Sequence, residues 1–191
     1  MSTATLDSPL KVGEFALRPD DTVATSYEHL HRRRSIRLRP SIHVVFEDEQ
    51  TLWFRIQELV RYAQHAPQHD IQKQFNWYQR LIPGHGRLIA VITVSPRDPF
   101  ARQLRAELLG GRLLLRSDAG HEVPGEFLEQ RCSDRLIGSV SWAEFRFDTD
   151  EREALNEPFI GWELALEFPG GQARAIRLTE RMVESLSADV E

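Results

Sequence analysis

The chain has 191 residues, 41% hydrophobic and 28% charged, which is enough apolar content for a packed core and too much for a wholly disordered chain. Its 24 basic and 29 acidic residues leave a net charge of −5, which speaks against a general nucleic-acid binder. One cysteine, Cys132, excludes an intramolecular disulfide, a CxxC redox pair and a multi-cysteine zinc or iron–sulfur cradle. No apolar run approaches the roughly 18 residues of a membrane span. The opening MSTATLDSPLKVGEF has neither a basic start nor an apolar h-region, so no secretory leader is expected and a cytoplasmic protein is.

Residues 1–24 are polar, carry Pro9, Pro19 and Asp20–Asp21, and lack a period; they read as a flexible arm. Ser26 is placed to cap a helix from near Tyr27 that runs through EHLHRRRSIRL and stops by Pro40. A strand follows at 41–47, where Ile42, Val44 and Phe46 alternate with Ser41, His43 and Val45. Asp48 or Thr51 opens the clearest helix, with Leu52, Ile56, Leu59, Ala63 and Ala66 in one apolar stripe and Pro67 stopping or kinking it. A second helix over 70–81 buries Ile71, Phe75 and Tyr78 before the turn at Pro83–Gly84.

Residues 87–95 (RLIAVITVS) are apolar on both faces, as in a central strand. Asp98 or Pro99 starts a short helix with Phe100, Leu104 and Leu108, ended by Gly110–Gly111. An edge strand is expected at 113–117 and a longer strand at 136–147, through Val140, Trp142, Phe145 and Phe147. Residues 159–168 and 172–178 face each other across Pro169–Gly170–Gly171 as a hairpin, and Thr179 caps a last helix with Glu180 at its favourable N-terminal end. The pattern predicts an α+β fold: a mainly antiparallel sheet of about five or six strands with helices packed on it. Residues 25–191 read as one such domain.

The clearest local feature is a basic run. No acidic residue occurs from His29 to Phe46, while Arg32, Arg33, Arg34, Arg37 and Arg39 all fall there. On a helix Arg33 and Arg37 share a face with Arg32 beside it, a surface for phosphates, an RNA backbone or an acidic protein. A solvated helix paired with Glu47, Asp48 and Glu49 is the plainer reading. The absence of aromatics interleaved with the arginines argues against nucleic acid. Trp53 lies off the apolar stripe of its helix, as interface tryptophans do, whereas Trp142 and Trp162 sit in core-strand patterns.

Metal chemistry rests on spacing. His65 and His69 are four apart and Glu58 lies seven before His65, one helical face that would suit iron or zinc with open positions. Pro67 stands between the histidines and works against that helix. The pair His29 and His31 adjoins three arginines whose charge opposes a cation. Cys132, between Arg131 and Ser133–Asp134, has the isolation of an inert thiol, and no GxSxG, GxxxxGK[ST] or GxGxxG motif is present.

The segments HRRRSIRLRPSIHVVFEDEQTLWFRIQELVRYAQ and DIQKQFNWYQRLIPGHGRLIAVITV resemble the bacterial domain-of-unknown-function family numbered thirty-five-oh-one. The positions that carry the resemblance are Arg33, Arg34, Phe46, Glu47, Thr51, Gln57, Glu58, Arg61, Tyr78, Leu81, Ile82 and Pro83. The resemblance implies a gene context of rubrerythrin-like di-iron proteins and iron–sulfur oxidoreductases, hence redox metabolism or peroxide defence. Three departures from the family pattern stand out. Ala63 replaces an acidic residue, Gln79–Arg80 replaces Asn-Pro, and residues 168–170 replace a histidine, which implies a copy that has lost any metal site there.

Two functions are therefore expected. The first is a cofactor-free accessory protein of a redox or peroxide-stress pathway. It would dock an acidic partner, such as a rubrerythrin-like or iron–sulfur protein, through Arg32, Arg33, Arg34, Arg37 and Trp53, and a homodimer stays open. The second is an iron- or zinc-dependent oxidoreductase-type protein using Glu58 with His65 or His69.

Overall fold

The computed structural model describes residues 32–62, 68–128 and 140–191. Among these are eight strands and five complete helices. The strands are β1 (Ser35–Arg39), β2 (Ile42–Glu47), β3 (Arg87–Val94), β4 (Arg112–Ser117), β5 (Glu122–Leu128), β6 (Val140–Arg146), β7 (Trp162–Glu167) and β8 (Ala173–Arg177). They form one antiparallel sheet in the order β1-β2-β3-β6-β5-β4-β7-β8, which curls towards a barrel.

This corrects the expected fold of about five or six strands with helices packed on them. The sheet has eight strands and dominates the molecule. The helix expected through EHLHRRRSIRL ends at Arg33, and the residues before Pro40 are extended. In Ser-Ile-Arg-Leu-Arg, buried Ile36 and Leu38 alternate with exposed Arg37, a period of two that belongs to a strand. Pro40 reinforces it, because the residue before a proline is driven away from helix.

β5 is the second strand absent from the sequence reading, hidden by Pro124–Gly125. Pairing with β6 begins at Gly125, so Pro124 lies beyond that ladder and its missing N–H breaks no bond there. Gly125 faces the Phe145 ring so closely that a Cβ would stand 2.8 Å from Cζ. β4, expected at an edge, lies between β5 and β7.

The curled sheet encloses the main core, with Phe46, Leu88, Phe145, Trp162, Leu164 and Leu166 pointing inward. Helix α4 (Thr149–Asn156) adds Leu155, and α5 (Glu180–Val190) adds Met182 and Leu186. Leu108 of α3 (Ala101–Leu109) joins the same core. α4, unforeseen from sequence, starts on a capping box in which Asp148 and Glu151 each accept the other's backbone N–H at 2.8 Å. On the outer face a second core forms where α1 (Glu49–Tyr62) and α2 (Gln68–Arg80) cover Ile89, Val91 and Trp142 with Leu52, Ile56, Phe75 and Tyr78. Burial of each such side chain contributes about 1.5–3 kcal/mol. The expected arm at 1–24 lies outside the described residues.

Candidate functional site

The basic run divides. Arg34 is 4% exposed and points into the protein. Its Nε stands 3.2 Å from Asp48 Oδ2, and its Nη1 and Nη2 donate to the two Asp189 oxygens at 2.5 and 3.1 Å. Nη2 also donates to the Ser185 carbonyl at 3.0 Å and to Ser185 Oγ at 2.8 Å. One guanidinium thus ties the start of β1 to the N-terminus of α1 and the end of α5, using the planar fork that lysine lacks. Burial pushes the Asp189 carboxyl above its ordinary range, while Arg34 pulls it the other way. Asp48 also caps α1: the Thr51 N–H donates to its Oδ1 at 2.7 Å, and its own N–H donates to Thr51 Oγ1 at 2.8 Å.

Arg34 is therefore an internal clamp, not a docking residue. Its neighbours behave differently. Arg32, Arg33 and Arg37 are exposed, and among the described residues Arg33 and Arg37 take no carboxylate partner. The shared helical face expected for Arg33 and Arg37 is overturned, since Arg33 closes a helical turn and Arg37 lies in β1. Arg37 stands in register with His43 of β2. Burial, then the Arg37 charge, holds the His43 imidazole below its ordinary value. Trp53 is half-buried in the first turns of α1.

A second polar cluster lies between the α1–α2 hairpin and the sheet. Glu47 is 0% exposed, and Arg55 Nε donates to its Oε1 at 2.6 Å. The Arg55 guanidinium also stands 5.7 Å over the Trp142 ring, which Tyr78 meets edge-on at 5.8 Å. Glu47 Oε2, Trp142 Nε1 and Trp77 Nε1 are buried without a hydrogen-bond partner among the described residues. Next along the same sheet face, Glu144 accepts from Arg87 and Arg146, and Arg87 Nη2 donates to the Arg80 carbonyl at 2.8 Å, fastening the end of α2.

Among the resemblance positions, Glu47, Thr51, Tyr78 and Leu81 are buried around this layer, while Phe46 points into the main core on the other face of the sheet. Gln57, Glu58 and Arg61 lie in α1 and His69 in α2, with only their backbone described. His29, His31, His65 and Cys132 lie outside the described residues. No group of three or more histidine, cysteine or acidic side chains is spaced to hold a metal among the described residues. Trp142 and Trp162 are core residues, as their strand patterns indicate. Sequence reasoning missed Arg55 and Asp189, whose partners lie 8 and 155 residues away and leave no local signature.

The residues that gather at β2, α1 and α2 are also those of a recognisable family. The DUF3501 pattern, described as a protein of unknown function, matches residues 17–190. The chain belongs to this family. A solved structure from Burkholderia pseudomallei, described as a novel protein of unknown function, matches the DUF3501 chain with a TM-score of 0.78 at 21% identity, covering 100% of both chains. It has the same fold. A DUF4426 family protein from Pseudomonas aeruginosa PAO1 matches at a TM-score of 0.29 and 10% identity over 75% of this chain and 88% of its own. No curated protein matches. No described helix is long and apolar enough to cross a membrane.

Proposed function

We propose that this DUF3501 protein is an accessory binding protein that docks an acidic partner through Arg33 and Arg37, with Arg32 and Trp53 as further contact residues. The observation that supports this reading is the contrast within one run. Arg34 is consumed inside the protein and fixes the segment, while Arg33 and Arg37 are exposed with no carboxylate among the described residues. Guanidinium groups held on a fixed backbone suit bidentate capture of carboxylates. In this reading the protein works in the cytoplasm in redox metabolism or peroxide defence, with a rubrerythrin-like or iron–sulfur protein as its partner.

The test is capture of a partner on immobilised protein. Wild type should retain an acidic protein, identified by mass spectrometry, and release it as salt shortens the screening length from about 10 Å at 0.1 M to about 3 Å at 1 M. The R33E/R37E variant should lose that protein while melting normally. Unchanged capture would overturn the reading, and self-capture alone would replace the acidic partner with a homodimer.

A second reading is favoured by Glu47 Oε2, which has no hydrogen-bond partner among the described residues. It is an iron or zinc ion held by Glu58 with His65 or His69, in an oxidoreductase-type protein. Glu58 follows Arg55, the partner of Glu47, by three residues on α1, so the two occupy the same stripe of the helix. Elemental analysis of protein expressed without chelators should then find one metal ion per chain in wild type and none in Glu58→Gln. A metal-free wild type, or full occupancy in the variant, removes this reading.

A further inference from the structure

The sheet curls without closing its ladder. Among the described residues β1 pairs only with β2 and β8 only with β7, and these two edge strands approach one another across a seam. A hollow of about 580 Å³ opens there, lined by Leu38, Arg39, Pro40, Arg174, Ala175 and Ile176. That volume lies within the roughly 300–1,000 Å³ of small-molecule sites.

Its chemistry is divided. Ile176 stands in register with fully buried Leu164, yet is itself 39% exposed. Together with Leu38, Pro40 and Ala175 it gives the seam an apolar floor. Arg174 stands in register with buried Leu166, an inward-facing position where the other strands carry apolar side chains. The Arg39 guanidinium lies 4.2 Å from the centre of the Phe168 ring. Neither Arg39 nor Arg174 takes a carboxylate among the described residues. An apolar slot flanked by two guanidinium groups that take no carboxylate among the described residues complements a molecule with a hydrocarbon tail and one anionic head. A base or sugar-phosphate fits less well, because Arg39 already occupies the face of Phe168.

We propose that the β1–β8 seam binds an aliphatic carboxylate, its head between Arg39 and Arg174 and its chain along Leu38, Pro40 and Ile176. This site is independent of the docking surface at Arg33 and Arg37.

The test is calorimetric titration of the full chain with decanoate below its micelle-forming concentration, with decanol and acetate as single-feature controls. Decanoate should bind saturably, one per chain, and both controls should bind at least about tenfold more weakly. Arg174→Gln and Ile176→Asp should each weaken decanoate about tenfold, since one loses a charge-assisted bond and the other the apolar floor. Both side chains are exposed, so melting temperatures should hold; R33E/R37E should bind decanoate as wild type does. No saturable binding, acetate binding as tight as decanoate, or indifference to both seam variants would overturn the proposal.

Discussion

Arg34 and Arg37 stand three residues apart in one basic run, and the fold assigns them opposite work. Arg34 turns inward onto Asp48, Asp189 and Ser185, where its bonds join three elements distant in sequence. Arg37 turns outward from β1, where its charge bears on His43 and otherwise faces water. Arg55 belongs with the first kind: it is 12% exposed and holds the fully buried Glu47. A cation at a helix or strand junction inside the protein is thus a structural bolt, while a cation three residues on is available to something else. Composition and charge do not distinguish the two; burial and partners do.

The contrast should break most sharply at Arg55. Arg55→Met leaves the Glu47 carboxylate buried without its cation and should cost about 3–5 kcal/mol in urea denaturation. Adding Glu47→Gln should recover part of that loss, because the uncompensated charge goes with it. A cost below about 1 kcal/mol would place the pair among surface bridges instead.

Arg34→Gln should cost somewhat less, about 3 kcal/mol, because water still reaches its acidic partners, Asp48 and Asp189 being 16% exposed. Its pH dependence is informative. The Asp189 carboxyl is already raised by burial, and removal of Arg34 takes away the charge that lowers it. A raised carboxyl binds its proton more tightly in the folded state, so its contribution to stability is lost as pH rises through the ordinary value of 3.8 towards the folded one. The deficit of Arg34→Gln relative to wild type should therefore be larger at neutral pH than in acid; a deficit independent of pH would contradict the clamp.

R33E/R37E should change stability by no more than about 0.5 kcal/mol, as exposed substitutions do, while abolishing partner capture. The smallest effect is at His43. Arg37→Gln should raise the His43 pKa, read by NMR titration of the imidazole. In wild type that depressed value adds stability present above 6.5 and lost as pH falls through 6.5 towards the folded value. The variant should show a shallower loss. An unmoved titration would mean that burial accounts for the depression by itself.

Most element positions were legible from periodicity. The stripe with Leu52 and Ile56 gave α1, the two-sided apolar run gave β3, and Pro169–Gly170–Gly171 gave the β7–β8 hairpin. The failures have physical causes. Arginines favour helix as individual residues, and that preference masked the two-residue alternation of Ile36 and Leu38 in β1. Pro124–Gly125 reads as a breaker, yet β5 tolerates it where one ladder has not begun and where Phe145 needs a residue without a side chain. The site was legible only in part. Phe46, Glu47 and Thr51 were marked as family positions, but the pairing of Glu47 with Arg55 and of Arg34 with Asp189 depends on tertiary contact that no local pattern records.

Docking through Arg33 and Arg37 is tested most directly by the affinity of the captured acidic partner as a function of salt, measured for wild type, Arg37→Gln and R33E/R37E. Wild type should show a steep salt dependence, Arg37→Gln a shallower one with weaker binding, and R33E/R37E no measurable binding. Equal affinity and equal salt dependence in all three proteins would contradict it.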